Sequence, residues 1–190
     1  MSVIAETTRM TVEEYLAFEE HADERHEFLG GVVTAMAGNT KRHNEIVLNL
    51  AEGVRPQLRG GPCRAFAEQI KVRVEAGESV FYYPDFLVTC DPRDLANPAE
   101  VFVQYPKVII EVLSPATERI DRREKFFAYL QIPTLEEYVL LSQSAQVAMG
   151  SRRENGWKEE LSTEVLELRS LGLRLPLAEL YAGIDFSLDG

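Results

Sequence analysis

Six consecutive residues, Val108-Ile-Ile-Glu-Val-Leu113, are apolar on both faces of an extended chain except for one carboxylate. A half-exposed strand alternates apolar with polar residues, so a run without alternation belongs to a central strand covered on both sides. The next segment, 117–131, reads as a helix ended by Pro133, and Glu137-Tyr-Val-Leu-Leu141 reads as a further strand. Strand, helix and strand in succession predict a parallel pair joined by a right-handed crossover. The expected class is therefore α/β. The run also poses a chemical problem, because Glu111 cannot stay ionised among Val108, Ile109, Ile110, Val112 and Leu113 without water, a cation or a basic partner.

Local signals place the other elements. Thr11-Val-Glu-Glu14 is a capping box and starts a helix from about Val12 to Glu20, with Val12, Tyr15, Leu16 and Phe18 near one stripe. His26 to Met36 predicts a β-hairpin turning at Gly30-Gly31. Asn39 or Thr40 starts a second helix, in which Ile46, Leu50 and Val54 follow at fourfold spacing until Pro56 kinks or ends it. The segment 68–75 alternates, with Ile70, Val72 and Val74 on one face. After a turn at 76–79 comes an apolar run over 80–90, in which Pro84 requires a bend, an edge or a bulge beside Asp85. Residues 145–168 read as short antiparallel strands with a hairpin turn at Asn155-Gly156, and 175–181 as a last helical turn. With 190 residues and no linker or repeat, one domain over 1–190 is expected.

Composition narrows the function classes. No apolar run approaches the roughly 18 residues of a membrane span, and Met1 to Met10 has no apolar core of signal-peptide length. The expected compartment is the cytoplasm. Cys63 and Cys90, without CxxC spacing, are expected as small buried or half-buried thiols, and His21, His26 and His43 form no zinc-binding pattern with them. The net charge of −11 argues against a simple nucleic-acid coat, but it is unevenly placed: −6 over 1–31, −3 over 150–190 and −2 over 32–149. A protein with few phosphate contacts binds nucleic acid weakly and loses affinity quickly with salt.

The residues that carry chemistry are Asp85, Glu111 and Lys125. Taken alone, Asp85 has a rival explanation as a carboxylate bonding a turn after Pro84, and Glu111, harder to dismiss, has one as a buried ion pair to Arg119 or Arg122. Two acids at neighbouring strand ends would repel each other without a cation, which raises the case for a site. Asp121, Lys125 and Tyr129 share one helix face, so Lys125 is either half of a solvated pair with Asp121 or is aimed at the acids. In the second case it would orient a water or steady charge on a phosphate. Ser114 or Thr117 is a candidate cap for that helix, whose N-terminus would help hold a phosphate. Glu27 is a candidate third acid. His43 is either a capping or buried histidine or an auxiliary group facing the site. Trp157, Tyr82, Tyr83 and Tyr105 are either core residues or surfaces for base stacking.

The set Pro84-Asp85, Glu111-Val-Leu-Ser-Pro115, Asp121-x3-Lys125-x3-Tyr129 and Ile132-Pro133 followed by Glu137-Tyr138 resembles the Uma two family. These are restriction-endonuclease-like proteins within the PD-(D/E)XK nuclease superfamily, and the resemblance runs from about Met10 to Leu141, including Glu27 to Val33 and His43. It implies a mixed sheet flanked by helices, to which this chain adds an antiparallel C-terminal strand region. It also implies a divalent cation, Mg²⁺ or Mn²⁺, held by Asp85 and Glu111, with Glu27 and His43 as auxiliary groups; the carbonyl of Val112 is a further candidate ligand, since hard cations accept backbone oxygens. The superfamily's usual lysine lies two residues after the second acid, where this chain has Leu113. The family pattern offers Lys125 on the following helix instead. Gln131 and Val139 are further departures, at positions where glycine and tryptophan are common.

The expected function is a metal-dependent endonuclease hydrolysing DNA as a homodimer, with Asp85, Glu111 and Lys125 catalytic and DNA binding weak and salt-sensitive. Two alternatives stay open. One is a catalytically silent nuclease fold serving as a binding or assembly module. The other is a metal-dependent hydrolase acting on nucleotides or RNA.

Overall fold

A computed structural model describes residues 9–36, 38–114 and 121–187. The chain opens with α1 (Val12–His21), whose capping box is formed as expected, Thr11 accepting from the Glu14 amide and Glu14 from the Thr11 amide. The hairpin β1 (His26–Leu29) and β2 (Val32–Ala35) turns through Gly30 and Gly31, both at positive φ, where glycine carries no Cβ penalty. Then come α2 (Lys41–Val54), capped by Thr40, and a 3-10 turn (Arg55–Leu58) carrying Pro56.

Four strands follow: β3 (Arg64–Ala67), β4 (Lys71–Ala76), β5 (Glu78–Tyr82) and β6 (Phe86–Thr89). A short α3 (Pro92–Leu95), β7 (Phe102–Val103) and β8 (Pro106–Leu113) complete the first half. Beyond residue 120, a π-helical turn (Asp121–Lys125) runs into α4 (Phe126–Tyr129). The start of the expected helix, with Thr117 and Arg119, lies outside the described residues. The rest comprises β9 (Glu137–Ser142), β10 (Ala148–Arg152), β11 (Glu159–Ser162), β12 (Val165–Leu168), β13 (Leu173–Pro176) and α5 (Leu177–Leu180).

The single apolar run over 80–90 is divided between two sheets at Tyr83-Pro84-Asp85. β5 belongs to a five-stranded sheet of order β2-β1-β5-β4-β7, and β6 to a six-stranded sheet of order β11-β10-β9-β8-β6-β3. In the six-stranded sheet β8 lies between β6, antiparallel, and β9, parallel, so the central strand and the parallel crossover partner are as expected. The strand β3 had no sequence signal beyond Ala65-Phe66-Ala67. Its partner is β6, in an antiparallel register that sets Arg64 across from Thr89.

That register corrects the expectation of free thiols. Cys63 and Cys90 flank the Arg64–Thr89 pair, stand 4.0 Å apart at Cα and form a disulfide. Pairing of strands 27 residues apart brings them together, and nothing in their local sequence announces it.

Both faces of β8 are covered. Val108, Ile110 and Val112 pack with Ile46, Val47, Leu50 and Val54 of α2 and with the β13–α5 segment. Ile109 and Leu113 face the other way, against Tyr129, Ile132, Leu135 and the inner face of the five-stranded sheet (Val72, Val74, Tyr82). Each fully buried aliphatic side chain of this kind contributes about 1.5–3 kcal/mol. The outer face of the five-stranded sheet is closed by α1 through Tyr15, stacked on Phe28 and tilted against Phe81. Glu111 has the parity of Ile109 and Leu113, so it projects into the seam between the two sheets.

Candidate active site

The β6–β8 ladder pairs Phe86 with Ile110, so the preceding residue, Asp85, stands across from Glu111. The Asp85 amide donates to Glu111 Oε2 at 3.2 Å, and the Val112 amide donates to Asp85 Oδ2 at 2.7 Å. Pro84 makes this possible, because it ends pairing in the first sheet and turns the chain into the second. The two acids meet through register alone, being 26 residues apart.

Glu111 is 2 % exposed and accepts from the Tyr129 hydroxyl through Oε1 at 3.2 Å. The Lys125 ammonium lies 3.5 Å from the same oxygen and 3.1 Å from Glu27 Oε1. The π-helical turn delivers Lys125 to this point, and such turns recur where a helix must aim a functional side chain. Lys125 therefore faces the acids, as its aimed alternative required, and Tyr129 one turn later meets the same carboxylate. The Asp121 side chain lies outside what is described. Arg122 is paired elsewhere, with Glu159 at 3.2 Å.

Glu27 reaches the site from the hairpin. Phe28 turns inward to α1, so Glu27 faces the seam beside Tyr82, across which it meets Lys125. Glu27 Oε1 is buried and makes no hydrogen bond among the described residues; the Lys125 ammonium is its nearby counter-charge. Lys125 also lies 5.7 Å from the centre of the Tyr82 ring. Burial pushes the Tyr82 hydroxyl up to about 12, with Glu27 adding to the rise and Lys125 opposing it.

His43, in the first turn of α2, places Nε2 3.0 Å from Asp85 Oδ1 and is 3 % exposed. Its ring thus faces Asp85 and does not cap the helix, whose cap is Thr40. Leu113, at the usual position of the superfamily lysine, is buried in the core between sheets. Of the aromatic candidates for base stacking, Tyr82 and Tyr83 are buried. Trp157 packs on Phe126 and under Arg153.

Sequence reasoning missed Gln143. It follows β9 directly, and its side chain reaches Leu113, Thr40 and His43. Its one available signal was position, at the carboxyl end of a strand parallel to the acid-bearing strand, where open α/β sheets gather their functional groups.

Asp85, Glu111, Glu27 and Lys125 thus form one connected cluster, three carboxylates against one ammonium. When all are ionised, two negative charges are in excess. Among the described residues no group of three or more His, Cys, Asp and Glu side chains is arranged as a ready-made metal cage. Mg²⁺ rarely needs one, since it keeps several waters and takes one or two carboxylates with a substrate phosphate. The all-oxygen donor set fits a hard divalent cation, and Glu27 Oε1, buried and without a hydrogen bond among the described residues, adds negative charge beside it, answered by Lys125. A cavity of about 770 Å³ elsewhere, between the end of α2 and β3, is lined by Arg55, Arg59 and Arg64 and includes none of these four groups.

Comparison with known proteins agrees with this architecture. The profile of the Uma2 family, described as "Putative restriction endonuclease", matches residues 12–181. An "uncharacterized protein" of Synechocystis sp. is 35% identical over 182 residues, 94% of each chain. A second from the same organism is 32% identical over 143 residues, 75% of this chain and 80% of the relative. A crystal structure from Anabaena variabilis, described as "a putative nuclease belonging to DUF820", superposes with a TM-score of 0.75 at 19% identity. It covers 90% of this chain and 97% of that one, which establishes the shared fold. Among the described residues no helix is long and apolar enough to cross a membrane.

Proposed function

The chain belongs to the Uma2 family of restriction-endonuclease-like proteins, and on that premise we propose that it hydrolyses phosphodiester bonds in DNA with a divalent cation, Mg²⁺ or Mn²⁺. The observation that carries the reading is the excess of carboxylate over ammonium in a cluster assembled at one strand register. Asp85, Glu111 and the Val112 carbonyl would hold the cation. When bound, it polarises the scissile phosphate and lowers the pKa of a water.

The chain's own groups have separable tasks. Val112 N–H and His43 hold the two oxygens of Asp85, so its carboxylate plane is set before substrate arrives. Tyr129 and the Asp85 amide do the same for Glu111. Glu27 holds the Lys125 ammonium in the seam, where it orients the attacking water or neutralises charge growing on the phosphate. DNA as partner, two copies as the working unit and the cytoplasm as compartment are part of the same reading, because two-strand cleavage is simplest with twofold-related sites.

A second reading, a nuclease fold kept as a binding or assembly module, is favoured by one observation. The oxygens of Asp85 and Glu111 already accept from protein donors. Calorimetry with Mn²⁺, run beside cleavage of supercoiled plasmid at low salt, separates the two. The nuclease reading expects Mn²⁺ binding and cleavage in the wild type, both lost in Asp85→Asn. A wild type that neither binds Mn²⁺ nor cuts leaves only the module.

A further inference from the structure

We propose that Gln143 is a positioning residue that fixes the tautomer of His43, and through it the orientation of Asp85. The Gln143 side chain meets three groups. Thr40 Oγ1 lies 2.8 Å from Oε1, the Leu113 carbonyl 2.9 Å from Nε2, and His43 Nδ1 3.5 Å from Nε2. Its backbone carbonyl is also held, accepting from Arg42 at 3.2 Å.

The two ends of a carboxamide look alike in shape, so its orientation must come from its partners. Here they determine it. The Leu113 carbonyl can only accept, which requires the NH₂ end. The Thr40 hydroxyl already accepts from the His43 amide at 3.1 Å and has a proton to give, which suits the oxygen end. With Nε2–H₂ facing the imidazole, His43 Nδ1 must be the bare, accepting nitrogen. The ring proton of the neutral imidazole then sits on Nε2 and is donated to Asp85 Oδ1 across 3.0 Å.

This polarity has a consequence for chemistry. An Nε2 that carries a proton toward Asp85 is neither a general base nor a metal ligand, so His43 acts by holding the carboxylate. In the other tautomer a lone pair would face the carboxylate oxygen, and Asp85 would turn away. Gln143 thus connects the end of β8, the cap of α2 and the acid on β6. The catalytic importance of the link rests on the nuclease reading; the tautomer itself does not.

The test is ¹⁵N NMR of the ring nitrogens, with only three histidines to assign, at about pH 8.5, where an ordinary imidazole is neutral. The wild type is expected to show a protonated Nε2 and a bare Nδ1 for His43. In Gln143→Glu a carboxylate faces each ring nitrogen, so Nδ1 becomes protonated, either alone or together with Nε2 as the imidazolium. In Gln143→Leu the two tautomers mix. A wild-type His43 protonated on Nδ1 or on both nitrogens overturns the proposal, and so does an unchanged tautomer in a folded Gln143→Glu protein. The wild-type measurement decides even if a variant does not fold. Given cleavage in the wild type, Gln143→Leu should lower kcat about 10–100-fold with KM little changed, the usual cost of losing a group that orients a ligand. Absence of wild-type cleavage would count against the nuclease reading and leave the tautomer result standing.

Discussion

Replacing Lys125 by methionine tests whether the seam between the sheets holds a buried ionic cluster. Lys125 is 8 % exposed, Glu27 17 % and Glu111 2 % at the side chain, with ammonium–carboxylate distances of 3.1 and 3.5 Å. At an effective dielectric constant near 20, each contact is worth about 5 kcal/mol in Coulomb terms before desolvation is subtracted. Methionine is one atom shorter than lysine but unbranched and keeps most of its packing, so the change falls mainly on the charge. What remains is a pair of carboxylates without their shared cation, and breaking a buried pair in this way costs about 3–5 kcal/mol. Urea unfolding followed by the fluorescence of the single tryptophan, Trp157, measures it, since that ring packs against Phe126 beside Lys125. Arg169→Met is the control: its ion pairs with Glu154, Glu160 and Glu167 lie at the surface, where solvent screens them, so its loss should cost far less. If Lys125→Met costs no more than the control, the cluster is solvated and the argument from excess charge fails. A second arm uses Mn²⁺. Because the ion and the ammonium both answer Glu111, Mn²⁺ should bind Lys125→Met more tightly than wild type; at a hundred times its dissociation constant for a given protein it stabilises that protein by about 2.7 kcal/mol.

Three further outcomes are expected. Reduction of Cys63–Cys90 opens a 27-residue loop and should lower stability by ~3.5 kcal/mol on the chain-entropy account, measured by urea unfolding with and without dithiothreitol. The Arg93 guanidinium bonded to Asp91 holds that carboxyl down to about 2 from 3.8; its stabilisation is present above the ordinary value and is lost as pH falls through the lower one. Asp91→Asn should therefore cost about 0.2–1 kcal/mol at neutral pH for so exposed a pair, with the difference vanishing by about pH 2. Burial lowers Lys71, with Glu19 opposing the shift. The unfolded chain then binds more protons than the folded one below 10.5, so wild type should gain stability relative to Lys71→Met as pH rises toward that value.

What the sequence determined by itself were the features that reach only a few residues or repeat with a fixed period. The Thr11–Glu14 box, the Gly30-Gly31 turn, the Ile46-Leu50-Val54 stripe and the two-sided apolar run around Glu111 all reappear where they were expected. A cap spans one helical turn and a buried stripe recurs every turn, so both are written locally. The acid pair was legible in kind: a carboxylate inside an apolar strand must be answered by something. Only the tertiary structure decided what answers it. Asp85 faces Glu111 because β6 and β8 pair in one register, and Glu27 meets Lys125 because a hairpin in one sheet is packed on a helix crossing the other. The Cys63–Cys90 bond and the reach of Gln143 to His43, 100 residues away, arise in the same way. Register is set by the sum of many weak contacts across strands, and a one-residue slip would turn each of these side chains to the opposite face. No single segment of the chain contains that information, and the whole packed core does.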